Sequence, residues 1–250
     1  MLKLAVLVSG GGTNLQALID KIEQGRLPGV SIEVVISSNR EAYALKRAIF
    51  HNIPWAVIEK KDYDTQEQYE EAFFSLLTGY QIDLIVLAGF LLILPEKIVR
   101  HYRHRIINVH PSLIPSFCGK GFYGLKVHEA ALARGVKITG ATVHFVDEGT
   151  DTGPIIIQKA VPVLDGDTPQ SLQKRVMEEA EWEILPEAVR LYSQGRLKIK
   201  DNTVVIENIE NSDNKDFKSE NLTDEYSENE NSEIEHSDNI HSDNENDNEK

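Results

Sequence analysis

The sequence predicts an α/β fold, a mostly parallel twisted sheet flanked by helices. Three observations predict it. Short β-branched runs alternate with helical stretches through residues 1–207, the order that right-handed βαβ crossovers produce. The first run, residues 4–8, is apolar at every position, as in a strand covered on both faces. A glycine-rich turn separates that run from the first helical stretch.

The elements follow in order. Strands are expected at 4–8, 32–36, 55–58, 84–88 and 106–109, with helices at 14–24, 41–51, 65–77 and 95–102 between them. Two later strands fall at 138–146 and 155–163. A long helix runs from 168 to about 194, with a bend expected near Pro186, because proline lacks an N–H and crowds the preceding turn. Nothing within 1–207 reads as a linker, so these residues are expected to form one domain.

Composition narrows the class. The chain has 250 residues, 41% of them hydrophobic, enough for one large α/β core. Apolar runs such as 84–90 are too short to cross a membrane. Cys118 is the single cysteine, and the start leads directly into a strand with no signal-peptide cleavage site. A cytoplasmic location is the expectation. From 208 to 250, 15 Asp and Glu face 3 Lys, a net of −12 within the total of −14. That leaves −2 for residues 1–207, which gives no electrostatic footprint for nucleic acid. Residues 208–250 are expected to form a disordered acidic tail, since they carry too little apolar surface to offset ordering entropy.

Ser9-Gly10-Gly11-Gly12-Thr13-Asn14 follows the first strand and opens a helix. Glycines allow close backbone approach, and a helix N-terminus offers free N–H groups and partial positive charge, so the turn suits a phosphate. Thr13 and Gln16 have the spacing of a capping box. The segment is neither a Walker loop nor a full dinucleotide fingerprint. A tight turn with no ligand is the plainer alternative.

Asn108-Val109-His110-Pro111-Ser112 closes another strand. Period-two alternation puts Asn108 and His110 on one face, and Pro111 ends the ladder. Both then sit at the carboxyl end of a strand, where open α/β sheets bind ligands. Asn offers an N–H to an oxyanion, and His offers a proton near neutral pH. The loop from Asp147 to Pro154, between the two late strands, is rich in carboxylates and glycine. Asp151 in it is a candidate partner for His110, and equally a turn aspartate. His101, His104, His110, His128 and His144 show no metal-ligand spacing, so no metal is expected. Cys118 has no partner base and reads as structural.

Four segments in this order carry a family resemblance: the Gly10–Asn14 stretch, Leu87-Ala88-Gly89-Phe90, the run from Asn108 to Pro115, and Asp151-Thr152-Gly153-Pro154-Ile155. Over residues 1 to about 206 the chain resembles the phosphoribosylglycinamide formyltransferases, folate-dependent enzymes of purine synthesis. The resemblance implies a Rossmann-like formyltransferase fold. It implies that 10-formyltetrahydrofolate is the co-substrate and the amine of glycinamide ribonucleotide the acceptor. It implies that Gly12, Thr13 and Asn14 hold the ribonucleotide phosphate and that Glu181 also contacts the ribonucleotide. Asn108 would hold the formyl oxygen and His110 would act as general acid. Asp151 would keep His110 protonated and hold a relay water. Leu91, Leu92, Ile93 and Leu94, together with Asp147, Glu148, Gly149, Thr150 and Asp151, would line the folate pocket. Gln66 stands where many members carry an Arg that touches the folate tail. Leu91-Leu92 replaces Met-Arg, and the segment 116–124 is longer than usual.

Other readings remain at this level. A methionyl-tRNA formyltransferase needs a basic surface and a further C-terminal domain, and a formyltetrahydrofolate hydrolase typically carries an extra N-terminal domain. A non-catalytic nucleotide-binding module would need the glycine loop and not the Asn108, His110 and Asp151 set. The sequence leaves monomer and homodimer equally open.

Overall fold

A computed structural model describes residues 1–208 of the chain. All but the first residue of the expected acidic tail lies outside the described residues. In chain order the elements are β1 (Leu2–Val8), α1 (Thr13–Glu23), β2 (Val30–Ser37), α2 (Tyr43–Phe50), β3 (Trp55–Val57), α3 (Gln66–Gly79), β4 (Leu84–Leu87) and α4 (Glu96–His101). They continue with β5 (Ile106–His110), α5 (Leu125–Arg134), β6 (Ile138–Phe145), β7 (Ile155–Pro162), α6 (Pro169–Val176), α7 (Trp182–Ser193), β8 (Leu197–Lys200) and β9 (Thr203–Ile206).

The first seven strands form one sheet in the order β3-β2-β1-β4-β5-β6-β7. β1 to β5 pair in parallel, whereas β5–β6 and β6–β7 are antiparallel. The strand order reverses at β1, which lies between β2 and β4. That reversal opens a crevice outside the carboxyl ends of the strands.

Both faces of the sheet are covered. Leu4, Val6 and Val8 of β1 join the core with residues of α1, α2, α6 and α7, while Ala5 and Leu7 join the core with α3 and α4. All five are 0% exposed. Burial on both faces explains why residues 4–8 show no alternation.

The structure departs from these expectations in its elements and in two local details. No expected element covers α5, the β8–β9 hairpin or the short 3-10 turn Lys60–Asp62. The irregularity in the long helix is a π turn at Met177–Glu181, upstream of Pro186, which sits within regular α7. Pro186 withholds the donor for the Trp182 carbonyl, and α7 continues past it to Ser193. Thr13 does not cap α1. Gly12 takes the N-cap position at φ 71° with no side-chain cap, so Thr13 lies in the first turn and its Oγ1 reaches Met177 Sδ at 3.7 Å.

Candidate active site

β5 delivers Asn108 and His110 to the carboxyl edge, and antiparallel β6 faces them with His144 opposite Asn108 and Thr142 opposite His110. All four side chains therefore share one face of the sheet. The Thr142 hydroxyl donates to Ser112 O at 2.6 Å and receives Ile114 N–H at 3.1 Å, fixing the chain as it leaves β5.

Asp151 comes from the β6–β7 loop at φ 58°. Its Oδ2 lies 3.6 Å from His110 Nδ1 and its Oδ1 lies 3.6 Å from His144 Nε2. The Gly119 N–H donates to Oδ2 at 2.8 Å. His110 Nε2 donates to Phe117 O at 2.9 Å. The long segment 116–124 thus supplies a backbone partner to each of these two residues.

His144 Nδ1 donates to Phe145 O at 2.8 Å, and its Nε2 lies 3.2 Å from Asn108 Nδ2. His144 is only 2% exposed. No local pattern in the sequence registers β6 against β5; the antiparallel pairing supplies the contact.

The charges balance closely. Burial lowers the His110 pKa; Asp151 and the Phe117 carbonyl raise it, and His144 lowers it further, so the net shift is downward. Asp151 therefore pushes His110 toward its charged form, and burial pushes the other way more strongly. Burial alone would raise Asp151, but the His144 ring, the His110 ring and the Gly119 amide together hold its carboxyl below the usual range. Cys118 donates to Pro115 O at 3.3 Å, and burial and Asp151 raise its thiol pKa, so it is a poor nucleophile.

The glycine loop lies along the same edge. Gly12 packs so tightly on α2 that a Cβ there would lie 2.6 Å from Ala44 Cβ. Asn14 Nδ2 donates to Glu181 Oε2 at 2.6 Å, and both residues are 6% exposed. Asn14 Oδ1 has no partner. Burial pushes the Glu181 carboxyl up to about 7, opposed by the Asn14 hydrogen bond. The π turn aims Glu181 at the loop, a use of this irregular turn common at functional sites.

The remaining candidates are more dispersed. Leu91, Leu92 and Ile93 are 58%, 38% and 82% exposed, whereas Leu94 is 6% exposed and belongs to the core. Asp147 Oδ1 accepts from Gly149 N–H and Thr152 Oγ1, which makes it the turn-former of its loop. Glu148 lies 3.8 Å from Arg103 Nη1, and Gly149 and Thr150 are exposed. Gln66 opens α3, exposed, with Nε2 donating to Glu70; no hydrogen bond links it to the other candidates. Among the described residues no group of three or more His, Cys, Asp or Glu is placed to hold a metal ion. No helix among them is long and apolar enough to cross a membrane.

This arrangement can hold and protonate a tetrahedral oxyanion at one end of the crevice and bind an anion at the other. The fold is shared with proteins of known activity. A phosphoribosylglycinamide formyltransferase of Haemophilus influenzae is 38% identical over 207 residues, covering 83% of this chain and 94% of the relative. The crystal structure of glycinamide ribonucleotide transformylase 1 from Symbiobacterium toebii superposes with a TM-score of 0.77 at 42% identity, covering 82% and 94% of the two chains. A formyltetrahydrofolate deformylase from Pseudomonas syringae pv. tomato has a TM-score of 0.73 at 30% identity, covering 82% of this chain and 65% of that one. The family model described as Formyl transferase matches residues 2–189, and the chain belongs to the formyl transferase family.

Proposed function

We propose that the chain transfers the formyl group of 10-formyltetrahydrofolate to the amine of glycinamide ribonucleotide, a step of purine synthesis in the cytoplasm. One observation carries the reading: Asn108, His110, His144 and Asp151 meet at the carboxyl end of β5, where antiparallel β6 runs beside it, on the same sheet edge as the glycine loop that follows β1. The catalytic body is residues 1–207, and residues 208–250 are an appendage to it.

The acceptor amine attacks the formyl carbon and a tetrahedral oxyanion forms. Asn108 donates its free Nδ2 hydrogen to that oxygen, and His110 donates from Nε2 once the Phe117 carbonyl gives way. The intermediate collapses with cleavage of the bond to folate N10. The ammonium proton leaves the new amide nitrogen and N10 takes a proton, relayed through water beside Asp151. The products are formylglycinamide ribonucleotide and tetrahydrofolate, and no covalent enzyme intermediate is needed.

Gly12, Thr13 and Asn14 receive the ribonucleotide phosphate, and Glu181 receives a hydroxyl or amine of the same substrate. Leu91 to Ile93 and the loop 147–151 border the folate, and Leu94 anchors that strap to the core. The test is a reaction of the purified chain with 10-formyltetrahydrofolate, with and without glycinamide ribonucleotide. Tetrahydrofolate release should require the ribonucleotide. Equal release in its absence would make the chain a hydrolase.

A further inference from the structure

Ser9, just past the end of β1, touches two other loops at once, those after β4 and β2. Its N–H donates to Gly89 O at 3.0 Å. Its hydroxyl accepts from Leu91 N–H at 2.9 Å and shares a 2.6 Å hydrogen bond with the Ser38 hydroxyl. The Leu91 bond is the one hydrogen bond that reaches residues 90–94 among the described residues. Otherwise this strap is held only at its ends, by the edge contact of Phe90 with Phe73 and by burial of Leu94. Leu91, Leu92 and Ile93 stand out into solvent between them.

On its other side the glycine loop is pinned to α2. Ala44 N–H donates to Gly10 O at 3.0 Å and Arg47 Nε donates to Gly11 O at 2.9 Å. A ligand on the N–H groups of residues 12–14 therefore orders a short segment that is tethered to α2 on one side and runs back to Ser9 on the other. What Ser9 holds is the strap across the switch point, after β4.

We propose that Ser9 is a positioning residue that couples the two substrate subsites: an acceptor bound on the glycine loop orders the 90–94 strap through the Ser9 hydroxyl and so tightens donor binding. This rests on the function proposed above. The physical basis is shared ordering entropy. The first ligand ordering the loop leaves less to be ordered by the second, and the effect is reciprocal, each ligand tightening the other by one factor.

The experiment measures dissociation constants by calorimetry for glycinamide ribonucleotide and for a deazafolate without a formyl group, each alone and with the other saturating. In the unaltered protein each should tighten the other by the same factor, about tenfold, within the usual range of such couplings. Ser9→Ala should bring the factor to about one while each ligand alone binds within about threefold of normal. Ser9→Thr, which keeps the hydroxyl, should keep the coupling. Leu91→Pro, which removes the N–H donor from the other end, should lose it. Amide hydrogen exchange at Leu91 should slow on adding ribonucleotide to the unaltered protein and not to Ser9→Ala. Failure of both ligands to bind the unaltered protein would sink the proposed function itself. Binding of both with a factor of one would overturn the coupling and leave that function standing. An unchanged factor in both Ser9→Ala and Leu91→Pro would overturn the role of Ser9.

Discussion

His110 stands between burial, which favours its neutral ring, and Asp151, which favours its charged one. Its ligand-free pKa lies below that of an ordinary histidine, and Asp151→Asn should lower it further; an NMR titration of both proteins reads this directly. Help that depends on the charged ring is present in acid and fades as pH rises through the pKa. His110→Ala and Asp151→Asn should each slow turnover by ~10²–10⁴. The double variant should be little worse than the slower single one, because groups acting as a unit are not additive. Losses that multiply would separate the pair. His128 makes a different prediction. It is 0% exposed, both ring nitrogens lack partners, and burial followed by the nearby His110 lowers its pKa to about 4. The unfolded chain takes up this proton near 6.5 and the folded chain only near 4, so stability falls as pH drops through that window. His128→Leu should flatten that loss in urea titrations at pH 7 and 5. Glu181 has the opposite sign: its raised pKa means stability is lost as pH rises from 4.5 to about 7, on the order of 3 kcal/mol. Glu181→Gln should raise Tm at pH 8 while weakening ribonucleotide binding. Asn108 and His110 were legible in the sequence because period two and a terminating proline are local facts. His144 was not, since its role depends on a strand pairing 36 residues away. The Gly12 packing on Ala44 was equally invisible, and it means that Gly12→Val tests packing as well as phosphate approach.

The π turn Met177–Glu181 carries an extra residue between α6 and α7, both of which keep a buried face. Deleting Glu178 should let the turn relax to a regular helix with those faces preserved. Circular dichroism and cooperative unfolding should survive, while ribonucleotide affinity falls at least tenfold because Glu181 turns away from Asn14. Full affinity after the deletion would show that the turn has no part in binding. The start of α6 is held by a capping box in which Thr168 accepts from Ser171 N–H and Ser171 Oγ accepts from Thr168 N–H. Thr168→Ala should cost about 1 kcal/mol. The strands of the parallel half were readable because burial on both faces leaves unbroken apolar runs. α5 and the last hairpin carried fainter signals. α5 is bracketed by Gly124 and Gly135, the latter in the left-handed conformation that ends helices. In β8 and β9, Leu197 and Ile199 alternate with lysines on one side of an Asp201-Asn202 turn. These runs of four residues are too short for periodicity to decide.

Across the whole chain, −12 of the −14 charge lies beyond Glu207. A chain ending at Glu207 should keep its Tm and its turnover number; loss of turnover without loss of folding would place part of the function in the acidic segment. The two ends of the crevice also differ in how much chain each must close. His110 meets Phe117 across 7 residues, Gly119 meets Asp151 across 32 and Asn108 meets His144 across 36, whereas Asn14 and Glu181 are 167 apart. Contacts between distant residues carry the larger closure entropy and form late. On the ribosome, Asn14 waits until the chain through Glu181 has emerged, long after the segment from 108 to 151 is free to pair. On this ground a refolding chain should regain folate binding ahead of ribonucleotide binding, read by following both ligands after dilution from urea.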